Sequence, residues 1–104
     1  MKNQTFTQTE ILANPTTLSW VYILYNTKTL EMNIGLSFNL AKQIDTLDPT
    51  EELVYYRSFG TPIDALAHKH LLDSLTKESV MHTIKQVNPS LKSLIPEIIN
   101  QTTL

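Results

Sequence analysis

The sequence predicts a small α+β domain: a three-stranded, antiparallel-type sheet flanked by helices, in the order β-β-α-β-α-α. Three observations carry this. Residues 20–25, 30–36 and 53–59 are runs of β-branched, aromatic and other apolar residues, each bounded by polar or Pro/Gly turn signals. Between and after these runs, apolar residues recur at the three- and four-residue spacing of a helix packed by one face. At 104 residues, 41% hydrophobic and 17% charged, the chain has the material for one domain with a packed core.

Residues 1–17, rich in Thr, Asn and Gln, read as an N-terminal tail, and residues 18–104 as the domain. Within the tail, Thr7-Gln8-Thr9-Glu10 offers a cap for one helical turn through Ile11 and Leu12, which Pro15 would end. Residues 20–25 (WVYILY) are apolar at both parities, as a central strand buried on two faces would be. Asn26-Thr27-Lys28-Thr29 is a polar turn into the second strand, in which Gly35 marks a bend or a close backbone approach. Ser37 or Asn39 caps a short helix with Leu40, Ile44 and Leu47 as its stripe, stopped at Asp48-Pro49-Thr50. Glu51-Glu52 reads as surface charge ahead of the third strand.

Gly60 breaks that strand. Thr61-Pro62-Ile63-Asp64 then starts a helix, with Thr61 as N-cap, Pro62 at the first position and Asp64 in the first turn. Ile63, Leu66, Ala67, Leu71 and Leu75 are its expected buried face, with His70 flanking them as a half-buried structural histidine. A further helix covers residues 77–87, with Val80, Met81, Ile84 and Val87 inward. After Asn88-Pro89-Ser90, the residues Leu91, Leu94, Ile95, Ile98 and Ile99 indicate a last short helix that Pro96 strains.

Several function classes fall away. With two glycines there is no Gly-rich phosphate cradle, and neither G-x-x-x-x-G-K-[ST] nor G-x-G-x-x-G occurs. The absence of cysteine removes disulfides, thiolate zinc sites and a Cys nucleophile. A net charge of −2, a pI of about 5.8 and a single arginine, Arg57, disfavour DNA as a partner, because phosphate neutralisation supplies much of the affinity for it. His68 and His70 lie about 200° apart on a helix and cannot share a metal ion. Asp64 and Asp73 bracket Lys69 on a solvated face. Tyr22, Tyr25, Tyr55 and Tyr56 read as core and cross-strand residues. No stretch has the length of a signal or a membrane span, so a soluble cytoplasmic protein is expected.

One resemblance runs from about Trp20 to Leu94. Val21-Tyr22-Ile23, Asn33-Ile34-Gly35, Ser37-Phe38-Asn39-Leu40, Leu53-Val54-Tyr55-Tyr56 with Phe59, Ala65 and Asn88-Pro89 follow one another as motifs do in the GIY-YIG nuclease family, which the chain resembles. They match, in turn, the GIY and YIG signatures, a T-x-x-L, an L-V-Y-Y-x-x-F, a helix-borne Ala and a late N-P. The resemblance implies a small antiparallel sheet flanked by helices, and in active members divalent-metal cleavage of DNA.

The family's chemical positions are mostly replaced. The second signature Tyr falls on Asn33, the Arg on Gln43, the His on Leu47, and the Arg-Glu pair that holds the metal on His68-Lys69, so only Tyr22 survives. Magnesium takes carboxylate oxygens, which Lys69 lacks. Gln43 offers no guanidinium clamp for phosphate, and Leu47 carries no proton.

No catalytic residue, no metal and no cofactor is therefore expected. Tyr22, Asn33, Gly35, Ser37, Gln43 and His68 remain as a nearly neutral binding surface, and the function implied is that of a binding or scaffold module. Its expected partner is a protein or a second copy, met through Leu91, Leu94, Ile95, Ile98 and Ile99, and no membrane. The alternative is a divergent endonuclease using Mg2+ at a site relocated around Tyr22, Ser37, His68 and Asp73. A third reading is an unrelated α/β domain.

Overall fold

β-branched and aromatic residues make Ser19–Asn26 (β1) the middle strand of a sheet. It lies between Met32–Ser37 (β2) and Glu51–Phe59 (β3), with both neighbours antiparallel to it. The computed structural model describes residues 18–102, so the tail and its proposed turn at Ile11 and Leu12 lie outside the described residues. The helices are Leu40–Ile44 (α1), Pro62–Asp73 (α2), Lys77–Val87 (α3) and Ile95–Thr102 (α4). This is the α+β architecture the sequence predicts. No helix among the described residues is long and apolar enough to cross a membrane.

Both faces of the sheet are covered. Val21 and Ile23 pack with Ala65 and Leu72 of α2 and Val80 and Ile84 of α3. Tyr22 and Leu24, one residue out of phase, pack with Leu40 and Ile44 of α1 and with Leu94 and Ile98 at α4. A β-bulge reconciles β3 with this alternation. Ile23 pairs with Tyr55 but Leu24 with Leu53, leaving Val54 as the extra residue. Val54 and Tyr55 thus join the α2–α3 face, while Leu53 and Tyr56 join the other.

Asn88 holds this irregularity in place. It is buried, donates from Nδ2 to the Val54 carbonyl at 3.0 Å and to the Lys92 carbonyl at 2.9 Å, and accepts from the Lys92 amide at 3.2 Å. A second bond, from the Leu94 amide to the Leu53 carbonyl at 2.8 Å, docks the C-terminal segment on the same stretch.

Several boundaries and faces depart from the sequence expectation. β2 begins at Met32, not Leu30. The Asn26 side chain accepts from the amides of Lys28 and Thr29, and the turn closes through Leu30, whose φ of 64° belongs to a turn rather than a strand. β3 begins at Glu51 because Glu51 and Glu52 pair with Asn26 and Tyr25, so both are half-buried rather than free surface charge. Asn39 is the cap of α1, accepting from the Lys42 amide at 3.1 Å, and Leu47 packs beyond the helix end. Pro96 lies in the first turn of α4 instead of straining it, because a first-turn residue needs no N–H for the helix.

The largest correction concerns α2. Its cap is as expected, with Thr61 accepting from the Asp64 amide at 3.1 Å. Its buried face is not. Ile63 (79% exposed), Leu66, Ala67, Leu71 and Leu75 point to solvent, and the sheet is met by Ala65, His68, Lys69 and Leu72. The helix carries two stripes on opposite sides. The smaller one wins because Ala65, fully buried, lets the backbone approach Val21 and Ile23 closely. In α3, Val87 at the last turn is exposed, while Val80 and Ile84 are buried. Near α4, Leu94 and Ile98 are buried in the domain's own core and Leu91 and Ile95 are half-buried, so the expected exposed stripe reduces to Ile99.

Candidate functional site

Tyr22 of β1 stands directly opposite Gly35 of β2, and its ring tip lies over that glycine. A Cβ at position 35 would overlap Cζ and the hydroxyl. The glycine serves space rather than conformation, since no glycine here has a positive φ. Asn33 and Ser37 flank it on the same face of β2. Asn33 is exposed, and the Ser37 hydroxyl accepts from the Asn39 amide at 3.0 Å, which sets the entry to α1. Gln43 is half-buried on α1, the helix that covers this face, and Leu47 packs in the same cluster as Tyr22.

Tyr22, Asn33, Gly35, Ser37 and Gln43 are therefore brought to one side of the sheet. His68 is not. It sits on α2, across the sheet, where Nε2 shares a hydrogen bond with the Tyr55 hydroxyl at 2.9 Å. Its ring stacks on Tyr55 and meets Phe59 at 5.2 Å between centroids. The sheet separates it from Tyr22, so the six-residue surface expected from sequence is five residues and a remote sixth. The half-buried histidine is also His68 rather than His70, which is exposed, because α2 is turned half a revolution from the expected orientation.

The electrostatics of the first group are mild. Burial pushes the Tyr22 hydroxyl above its ordinary value, Glu51 adds to that, and the Lys69 ammonium opposes it. Tyr22 is thus a neutral donor at physiological pH. Lys69 is held by Asp73, with Nζ to Oδ2 at 2.8 Å. Its charge reaches Tyr22 from within that ion pair. Among the described residues no three His, Asp or Glu side chains are grouped to hold a metal ion. The relocated quartet is not assembled either. His68 lies across the sheet from Tyr22, and Asp73 is engaged with Lys69.

Sequence reasoning missed the cluster on the α2 side. Arg57 lies over the Phe59 ring, 5.2 Å from Cζ to centroid, and Phe59 leads on to His68 and Tyr55. The alternation of Arg57 and Phe59 along β3 gave no hint, because their contact depends on where α2 rests. Two clefts lie away from Tyr22. One, of about 320 Å³, is lined by Met32, Ile34, Leu72, Leu75 and Val80, with Glu31, Asp73 and Lys77 beside them. The other, of about 450 Å³, is a mixed-charge surface of α3 around Met81 and His82.

The His68 cluster predicts a pH response. Burial, with the nearby Arg57 charge adding to it, lowers the pKa of His68 from its ordinary 6.5. The folded state then binds fewer protons than the unfolded chain below pH 6.5, so stability falls as pH drops through that value toward the folded pKa. Asp48, whose carboxylate is held by Thr50, acts in a separate window below its ordinary 3.8. Thermal melts across mildly acidic pH are expected to fall steadily in the wild type. In His68→Gln the same series is expected to be flatter.

No family model matches the chain, and no curated protein or solved structure matches it either.

Proposed function

We propose that this chain is a GIY-YIG-like domain without the family's nuclease chemistry, acting as a protein-binding module. The antiparallel sheet with its flanking helices, and the fitted contact between Tyr22 and Gly35, support the scaffold half of this reading. Phosphodiester hydrolysis needs a metal or equivalent charge, a clamp for the phosphoryl group and a proton carrier. Lys69, Gln43 and Leu47 supply none of these roles, and Asn33 replaces a second tyrosine.

The observation that carries the binding half is the outer side of α2. Ile63, Leu66, Ala67 and Leu71 form an exposed apolar stripe along a helix whose opposite side already fills the core. Contiguous exposed apolar surface of this kind marks interaction sites. Few polar groups accompany it: Asp64 and His70 are exposed on this side of the helix, and Lys69 is paired to Asp73. Such a surface suits an apolar protein face better than nucleic acid.

Two experiments test the two halves. Lys69→Glu is expected to gain weak divalent-metal affinity and no cleavage of plasmid or branched DNA, because catalytic groups that act together are not restored singly. Metal-dependent nicking by the wild type that disappears in Tyr22→Phe would overturn the reading in favour of a divergent Mg2+-dependent endonuclease. For the surface, Ile63→Asp with Leu71→Asp should leave the melting temperature near wild type and abolish retention of whatever proteins the wild type captures. Equal capture by both forms would remove α2 from the account.

A further inference from the structure

The two edges of the sheet are treated differently. β3 carries a bulge at Val54, receives hydrogen bonds from Asn88 and Leu94, and bears the exposed Arg57 further along. Each of these is a known way of blocking unwanted strand pairing. β2 has none of them. Its six residues, MNIGLS, contain no charge and no proline, and its pairing with β1 shows no register shift. Among the described residues, none hydrogen-bonds to its outer side.

We propose that β2 pairs with β2 of a second copy of this chain, antiparallel about a two-fold axis at Ile34, joining two three-stranded sheets into one. The register is self-complementary. Met32 falls opposite Leu36 of the second copy and Ile34 opposite itself, all on the face packed against the α2–α3 core. Asn33 falls opposite Gly35. Glu31 meets Ser37, so the pairing sets no like charges against each other. Leu30, where the turn ends the extended run, and Phe38 lie just beyond the two ends of β2, so antiparallel pairing brings the Leu30 end of one copy beside the Phe38 end of the other. These two side chains stand at equal distance from Ile34 at the two ends of β2, and they are 53% and 56% exposed. A closed two-fold contact of this kind uses one patch twice.

This inference deepens the protein-binding reading without depending on the α2 stripe or on any family. Sedimentation of the full chain should show a dimer. Leu30→Lys and Phe38→Glu, both at exposed positions, should each weaken it by about tenfold, the equivalent of one lost apolar contact. The double variant brings opposite charges together across the axis and should recover the dimer. The chain has no cysteine, so Ile34→Cys introduces a single thiol that meets itself at the axis, within reach of a disulfide. Oxidation should cross-link it, and should not cross-link Val87→Cys, which is exposed on α3. Ile63→Asp should leave this dimer intact, which separates the failure of the α2 surface from the failure of the β2 edge. A strict monomer at the highest soluble concentration would overturn the proposal. So would a dimer that ignores Leu30→Lys and cross-links through Leu71→Cys on α2 instead.

Discussion

Gly35→Ala is expected to destabilise the domain by about 1–3 kcal/mol, the usual range for forcing extra volume into a packed core. The added methyl would occupy the space of the Tyr22 ring tip. Tyr22 is buried against Leu40, Ile44 and Leu53 and has little freedom to swing aside. For a domain of this size, each kcal/mol lowers the melting temperature by roughly 4–8 °C. Gly60→Ala is the control. Nothing lies within 4 Å of a Cβ there, so its effect should stay within about 0.5 kcal/mol. In a Tyr22→Leu background the ring tip is gone, and Gly35→Ala should become nearly neutral. That coupling, measured as a double-mutant cycle, separates a steric contact from a general intolerance of β2 to substitution.

Asn88→Ala should cost more, about 2–4 kcal/mol in urea unfolding. It removes three hydrogen bonds and leaves the Val54 and Lys92 carbonyls without the donor that now serves both. Buried polar groups left unpaired are among the few routes to large single-residue effects. Asn88→Asp should be at least as harmful. The carboxylate keeps the size but offers no N–H, so a negative charge would face two carbonyl oxygens in a buried position. A loss below about 0.5 kcal/mol in Asn88→Ala would mean that the bulge at Val54 holds its shape unaided.

These two residues also mark what the sequence makes legible. Asn88-Pro89 stands out as punctuation, yet the role of Asn88 follows from a bulge that no strand pattern announces. Gly35 reads as a bend or a close backbone approach, and the structure shows a close approach by a side chain, the Tyr22 ring, instead. The strands are legible because aromatic and β-branched runs favour a pleated, buried surface, and β1 shows its central place by being apolar at both parities. Where a helix carries one apolar stripe, as α3 does in Val80 and Ile84, its inward face is legible too.

On α2 the pattern misleads. Two stripes compete, and counting bulk selects Ile63, Leu66 and Leu71, while close packing selects Ala65 and Leu72. That rotation carries His68 away from Tyr22 and turns His70 outward, so the error in the helix face becomes the error in the candidate site. The same trade appears near α4. Leu94 and Ile98 complete the core on the Tyr22 face, which a three-stranded sheet cannot bury with the five residues of α1 alone.

The central proposal is a nuclease-like scaffold without a metal centre at Tyr22, Asn33, Gln43 and Lys69. Titration with Mn2+, followed by paramagnetic broadening of backbone amide signals, tests it most directly. The account predicts no saturable broadening centred on those four residues, only weak and scattered effects at exposed carboxylates such as Asp45 and Glu78. Saturable broadening centred on Tyr22 and Lys69 would contradict it.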